Sequence, residues 1–140
     1  MDVEMVARLR GVISRLARQL NATSTDEGLT PTQYSVLGLI AVRGPLGLTE
    51  LTEMEGLNPT MLSRVVRKLD DEGLIRRQPD PADQRAARVQ VTPAGSEVHQ
   101  RIRAQRTQVL YACLERLPIE ITDELLRAVP MLEAVAEELK

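Results

Sequence analysis

The sequence predicts a mainly α-helical fold with a small β-hairpin, in a chain of 140 residues. Apolar residues recur at helical spacing through most of the chain, with proline, glycine and polar stretches between the repeats. One stretch, Asn58 to Arg88, is typical of a helix followed by strand, turn and strand. Hydrophobic residues make up 43% and charged residues 27%, as in a folded globular protein. The length suits one compact domain or a small domain with an extension.

Helix signals at the start of the chain are strong. An apolar stripe predicts a first helix from about Val3 to Thr23, and its members are Val6, Leu9, Ile13, Leu16 and Leu20. A second helix opens at Thr30, which can form a capping box with Gln33. Arg43 to Pro45 end this helix, and a few extended residues follow. Both helices therefore have an apolar face to bury.

The next two helices predict a helix-turn-helix. Thr49 can cap a short third helix, and Gly56 ends it. Asn58 can cap the fourth helix, which Gly73 ends. Its apolar residues share one face, and they are Leu62, Val65, Val66 and Leu69. At about 100° per residue, polar side chains occupy the opposite side and its flanks, and these are Thr60, Ser63, Arg64, Arg67 and Lys68. Such a helix can pack on a domain and lie in the major groove of DNA.

A hairpin follows the fourth helix directly. Leu74 to Gln78 and Ala87 to Val91 are predicted as strands around a polar loop with two prolines. Arg85 at the tip is placed to enter a minor groove, and Asp83 can brace its guanidinium. The alternative interpretation is an ordinary charged hairpin with an incidental ion pair. The hairpin directly follows a helix that fits a DNA groove, which argues against this alternative. Three further arginines of the hairpin can contact phosphate or remain solvated, and they are Arg76, Arg77 and Arg88. We count Arg88 among the expected DNA contacts of the wing.

Long helices close the chain. Thr92 and Pro93 start one that runs to about Leu117, with apolar residues on two sides in its second half. A last helix starts at Thr122, and Pro130 should kink it. Because one small chain hardly covers both sides of such a helix, we expect a two-fold homodimer. The expected organisation is a helical dimerisation region, residues 1–28 and 92–140, around a winged helix-turn-helix core, residues 29–91.

Composition excludes other classes of protein. Phe and Trp are absent and there are two Tyr, so stacking on single-stranded bases is nearly excluded. No apolar run approaches the roughly 20 residues of a membrane span, and MDVEMVARLR lacks the pattern of a signal peptide. The sequence has one His, one Cys and no glycine-rich phosphate loop, so it offers neither a nucleophile–base pair nor a nucleotide-binding loop, which argues against an enzyme. We expect no cofactor, no metal site and no membrane partner.

Three segments resemble the MarR family of transcriptional regulators: LTPTQYSVLGLI (29–40), the run from Leu48 to Gly95, and the helices after it. The most specific motifs are EGLIRR, the Asp83-x-Arg85 pair and VTPAG. The resemblance implies a cytoplasmic, nucleoid-associated homodimer, usually a repressor, on a pseudo-palindromic operator in double-stranded DNA. By position, the family's groove-reading residues fall on Pro59, Thr60, Ser63, Arg64 and Arg67, with the wing contact on Arg85.

Many family members release DNA on binding a small aromatic acid or phenol, and others sense oxidation through a cysteine. Arg15 and Tyr34 are candidates to line an effector pocket, as are Arg18 and His99, although a solvated or packed role suits each better. Cys113 lies in an apolar helical stripe, where an inert packing role is favoured. A winged-helix protein-interaction module without DNA binding remains the alternative function, since the net charge is −2 and three acids lie at the end of the fourth helix: Asp70, Asp71 and Glu72.

Overall fold

The computed structural model describes residues 1–22, 28–79, 82 and 87–140. These residues are mostly helical with one small antiparallel sheet, which confirms the predicted fold class. Two compact units are present, Met1–Gln105 and Arg106–Lys140. The elements in chain order are α1 (Val3–Asn21), α2 (Pro31–Arg43), β1 (Leu46–Gly47), α3 (Leu48–Glu55), α4 (Pro59–Asp71), β2 (Ile75–Pro79), β3 (Ala87–Val91), α5 (Pro93–Glu115), α6 (Ile119–Arg127) and α7 (Val129–Glu138).

Side-chain caps set the start of α1 and α2. Asp2 caps α1 by accepting from the Glu4 amide. The Thr30 hydroxyl accepts from the Gln33 amide at 3.2 Å, and the Gln33 side chain accepts from the Thr30 amide at 3.0 Å, so the predicted capping box is confirmed. The predicted cap at Thr49 is wrong, because α3 begins at Leu48 with Gly47 before it. Pairing of β1 with β3 holds the backbone extended up to Gly47, and the helix starts directly afterwards.

The core of the first unit joins the helix-turn-helix to the sheet and to α5. Its buried residues come from the segment between α2 and α5, and they are Val36, Leu37, Ile40, Leu46, Leu51, Leu62, Val66, Leu69, Leu74, Ile75, Val89, Val98 and Ile102. Leu62, Val66 and Leu69 of α4 are almost completely inaccessible to solvent, with exposed fractions of 2% or less. The apolar face predicted for this helix is therefore confirmed, except that Val65 is only half-buried.

The sheet has the order β1-β3-β2 and is antiparallel throughout. In β2 and β3, Ile75 pairs with Val91, Arg77 with Val89 and Pro79 with Ala87. Two predicted strands are confirmed, and β1 adds a third short strand where the sequence indicated only extended residues. The hairpin tip, residues 80–81 and 83–86, lies outside the described residues.

A glycine and a threonine attach the start of α5 to the end of α4. The Thr92 amide donates to the Leu74 carbonyl at 3.1 Å, and the Thr92 hydroxyl donates to the Gly73 carbonyl at 2.6 Å. The same hydroxyl accepts from the Gly95 amide at 3.0 Å. A Cβ on Gly95 would lie 1.9 Å from the Leu74 carbonyl oxygen. Close packing therefore requires glycine at this position.

The second unit departs from the prediction at its helix boundaries. The predicted final helix is two helices, because Pro130 lies in the first turn of α7 instead of kinking a longer helix. Proline suits that position, since the first amides of a helix have no intrahelical partner. The preceding helix starts at Ile119, earlier than predicted, and the Thr122 hydroxyl donates to the Leu114 carbonyl at 3.1 Å. No helix among the described residues is both long and apolar enough to span a membrane.

Cys113 is exposed, so the prediction that it lies buried in an apolar stripe is wrong for the single chain. Its neighbours on the second half of α5 are also accessible, with 46% of Val109 and 39% of Leu110 exposed. The stripe predicted from spacing exists, but no part of the second unit covers it.

Candidate nucleic-acid interface

α4 is fixed in place by its two ends. At its start the Asn58 side chain accepts from the Met61 amide at 2.8 Å, and Pro59 occupies the first turn. At its end the Leu74 amide donates to the Leu69 carbonyl and the Gly73 amide donates to the Asp70 carbonyl, both at 2.9 Å. Gly73 has φ +73°, which suits glycine in such a helix stop. These hydrogen bonds and the packing of its buried face fix the orientation of α4 on the core.

The outer face of α4 carries the predicted groove-reading side chains. Pro59, Thr60, Ser63, Arg64 and Arg67 are all exposed. Neither the Arg64 nor the Arg67 guanidinium has a hydrogen bond or ion pair with another described residue. Exposed guanidinium and hydroxyl groups on one face of a helix can donate to base edges and phosphates. The structure thus brings these five residues together on an accessible surface.

Four of these residues also line a cleft between α4 and β2. The cleft has a volume of about 420 Å³, and its lining residues are Thr60, Ser63, Arg64, Arg67 and Arg77. Three cations and two hydroxyls therefore face one open space, and none of the described lining residues is a carboxylate. This arrangement favours an anionic ligand. Sequence reasoning left Arg77 unassigned, although strand alternation from the buried Ile75 could have placed it on this side.

Lys68 and Arg88 are each engaged within the protein. The Lys68 ammonium lies 2.7 Å from a carboxylate oxygen of Glu72, one turn further along α4. The hydrogen bond and the charge of Glu72 raise the pKa of Lys68. The Arg88 guanidinium donates to the Pro45 carbonyl at 2.9 Å and so ties β3 to the end of the α2–β1 connection. Asp83 and Arg85, the other predicted wing residues, lie outside the described residues.

The candidate effector residues occupy different surroundings. Arg15 is exposed on α1, whereas Tyr34 is half-buried on α2. The Tyr34 ring stacks on His99 of α5, with 5.2 Å between ring centroids and 21° between planes. Burial and the nearby charge of Arg103 lower the pKa of His99. The described residues contain no group of three or more His, Cys, Asp or Glu arranged to hold a metal ion.

The sequence is similar to known transcriptional regulators. The model of the MarR family matches residues 29–87. An HTH-type transcriptional regulator of Mycobacterium leprae is 28% identical over 137 residues, covering 98% of this chain and 96% of that protein. The multiple antibiotic resistance protein MarR of Salmonella typhimurium is 33% identical over 88 residues, covering 60% of this chain and 61% of that protein.

Solved structures share the fold over nearly the full length. The transcriptional regulator Tm0710 of Thermotoga maritima matches with a TM-score of 0.76 and 26% identity, covering 98% of this chain and 96% of that one. A mutant form of MarR from E. coli matches with a TM-score of 0.79 and 23% identity, covering 93% of this chain and 95% of that one. The helix-turn-helix and the small sheet described above therefore follow an architecture found in regulators from distant organisms.

Proposed function

Since this chain belongs to the MarR family of DNA-binding transcriptional regulators and not to an enzyme family, we propose that it is a homodimeric repressor of a pseudo-palindromic operator in double-stranded DNA. The observation that carries this proposal is the outer face of α4. Arg64, Arg67 and Thr60 are exposed there on a helix whose opposite side packs on the core through Leu62, Val66 and Leu69. A helix held in this way can enter the major groove without rearrangement of the protein.

The chemistry of each side chain suits it to contact either the bases or the phosphates of the DNA. Arg64 and Arg67 can each donate two parallel hydrogen bonds to a guanine edge, and Thr60 can contact a base edge or a thymine methyl. Ser63 and Lys68 suit phosphate, and Lys68 would exchange its bond to Glu72 for one to the backbone. Arg85, braced by Asp83, would enter the adjacent minor groove. Arg88 would support the wing through the Pro45 carbonyl.

Exposed apolar side chains support the homodimer. On α1 the predicted stripe is accessible in the single chain, with 49% of Leu9, 43% of Ile13 and 49% of Leu16 exposed. The second unit exposes 54% of Leu126 and 47% of Val135. Apolar surface exposed in this way on each unit indicates contact with another molecule. A second copy of the chain would cover it and would set two α4 helices about 34–36 Å apart, one DNA turn.

A small aromatic or phenolic effector would release the operator, as the family resemblance implies. Arg15 offers an exposed cation for a carboxylate, and Tyr34 offers an aromatic ring. Titration of the protein–DNA complex with benzoate-type acids and phenols tests this part of the proposal. Dissociation of DNA by none of these compounds would argue against effector release and would leave DNA binding intact.

Fluorescence anisotropy with labelled duplex DNA from upstream of the protein's own gene tests DNA binding. Loss of a base contact at Arg64→Ala, Arg67→Ala or Arg85→Ala should weaken operator binding by about 1–3 kcal/mol, roughly 5- to 150-fold. Arg8→Ala, which removes an exposed arginine from α1, is the matched control and should bind normally. Light scattering should show that all four variants remain dimers.

Two results would contradict the proposal. Normal operator affinity in the three arginine variants would refute the site assignment. Absence of salt-dependent binding of the unaltered protein to duplex DNA at low ionic strength would instead favour a protein-interaction module.

A further inference from the structure

β2 presents its two central arginines on opposite faces of the sheet. Directly paired residues in an antiparallel sheet point to the same side, and successive residues alternate. Arg77 pairs with Val89, which is completely buried. Arg77 therefore lies on the core-facing side of the sheet, at the point where the core ends and the strand runs past α4. Arg76 pairs with Gln90 and lies on the other side.

Arg77 consequently faces the exposed side of α4. It lines the cleft of about 420 Å³ together with Ser63, Arg64 and Arg67 of that helix, and with Thr60. These three guanidinium groups have no ion pair with any described carboxylate. Like charges gathered in one cleft repel each other in the free protein, and an anion between them removes that repulsion.

The position of the cleft indicates which anion it takes. It is an open space on the same face of the protein as the groove-reading side chains of α4. DNA seated on α4 would bring its backbone past the flank of the helix, where β2 lies. Planar guanidinium groups bind phosphate through two parallel hydrogen bonds, and a serine hydroxyl can donate a third.

We propose that Arg77 completes a phosphate-binding site between α4 and β2, in which Ser63 helps to hold one backbone phosphodiester of the DNA. Arg77 positions the duplex against α4 and does not read its sequence. Arg76 takes no part, because it points away from the cleft. The proposal rests on the proposed DNA binding and adds a contact from the sheet, outside the helix-turn-helix and the hairpin tip.

Arg77→Gln and Arg76→Gln form a matched pair, since they remove the same charge from neighbouring positions on opposite faces. Each phosphate contact contributes about 0.9 to the slope of log affinity against log salt concentration. We expect Arg77→Gln to reduce the magnitude of this slope by about 0.9 and to weaken binding about eightfold at about 0.1 M salt. Operator and unrelated duplex should lose affinity by the same factor, because a phosphate contact is independent of sequence. Arg76→Gln should change affinity less than about twofold and leave the slope unaltered.

Further measurements separate the possible failures. Thermal unfolding of both variants should match the unaltered protein, and Arg77→Lys should recover part of the affinity, since it keeps the charge without the planar fork. Equal losses in Arg76→Gln and Arg77→Gln would overturn the proposal, because net charge alone would then explain them. A loss in Arg77→Gln confined to operator DNA would also overturn it and would make Arg77 a base contact. If the unaltered protein shows no salt-dependent DNA binding, the proposed function fails; if it binds and Arg77→Gln binds equally, only this inference fails.

Discussion

Replacing Gly95 with alanine tests how α5 is joined to the helix-turn-helix. The new Cβ would lie 1.9 Å from the Leu74 carbonyl oxygen and 3.0 Å from a methyl group of Val91. Real Cβ contacts are not closer than about 3.0 Å, so the backbones of α5 and residue 74 must separate by about 1 Å. The Leu74 carbonyl also accepts from the Thr92 amide at 3.1 Å, and this bond would not survive such a movement.

The expected magnitude follows from three contributions. Forcing extra volume into a packed site costs about 1–3 kcal/mol, and loss of the backbone hydrogen bond costs about 0.5–1.5 kcal/mol. Alanine in place of glycine within a helix returns about 0.5–1 kcal/mol. The free energy of unfolding should therefore fall by about 2 kcal/mol, which for a chain of this size corresponds to a decrease in Tm of about 8 °C.

Circular dichroism during heating measures this difference, with all proteins at one concentration because a dimer's Tm depends on concentration. Gly11→Ala is the matched control, since no atom lies within 4 Å of its added Cβ and Gly11 faces away from the apolar stripe of α1. Gly11→Ala should raise the unfolding free energy by about 0.5–1 kcal/mol. An equal or higher Tm for Gly95→Ala would refute the close approach of α5 to residue 74.

Three further predictions concern single side chains. Because burial and Arg103 lower the pKa of His99 in the folded protein, the unfolded chain binds more protons below the ordinary value of 6.5. The contribution of neutral His99 to the free energy of unfolding should be complete above that pH and be lost as the pH falls through the folded pKa. Denaturant titrations at several pH values should show that the unfolding free energy of His99→Gln falls less in acid than that of the unaltered protein. Asn58→Ala should lower the unfolding free energy by about 1 kcal/mol, whereas Asn58→Asp should keep the cap. An equal loss of unfolding free energy in both variants would contradict the capping role of Asn58. Arg88→Met should cost about 1 kcal/mol through the lost bond to the Pro45 carbonyl, and unchanged urea unfolding would show that this bond contributes nothing.

Local chemistry determined much of the fold from sequence. The capping box at Thr30, the cap at Asn58 and the stop at Gly73 depend on residues only a few positions apart, and the structure confirms all three. The two faces of α4 follow in the same way, because helical spacing is a local property. The family resemblance was also available from the sequence, since its motifs are contiguous in the chain.

Predictions from local sequence were wrong where the same residues are compatible with two structures. Pro130 is compatible with a kink inside a helix and with the first turn of a new one, and the structure has the second. Thr49 is a good capping residue, but pairing of Gly47 with β3 moved the helix start. Cys113 belongs to an apolar stripe that the second unit does not itself cover.

Only the tertiary structure decided which arginines share a surface. Strand alternation in the sequence places Arg76 and Arg77 on opposite sides of the sheet, but it does not show what either side faces or what Arg88 contacts. Strand pairing directs Arg77 toward α4 and directs Arg76 to the opposite face, and contact with the α2–β1 connection engages Arg88 at the Pro45 carbonyl. The sequence alone determined the helix that faces DNA, because a helix face depends on neighbouring residues. The cleft beside it depends on strand register and on how the sheet packs against α4, which are set by contacts between segments far apart in the chain.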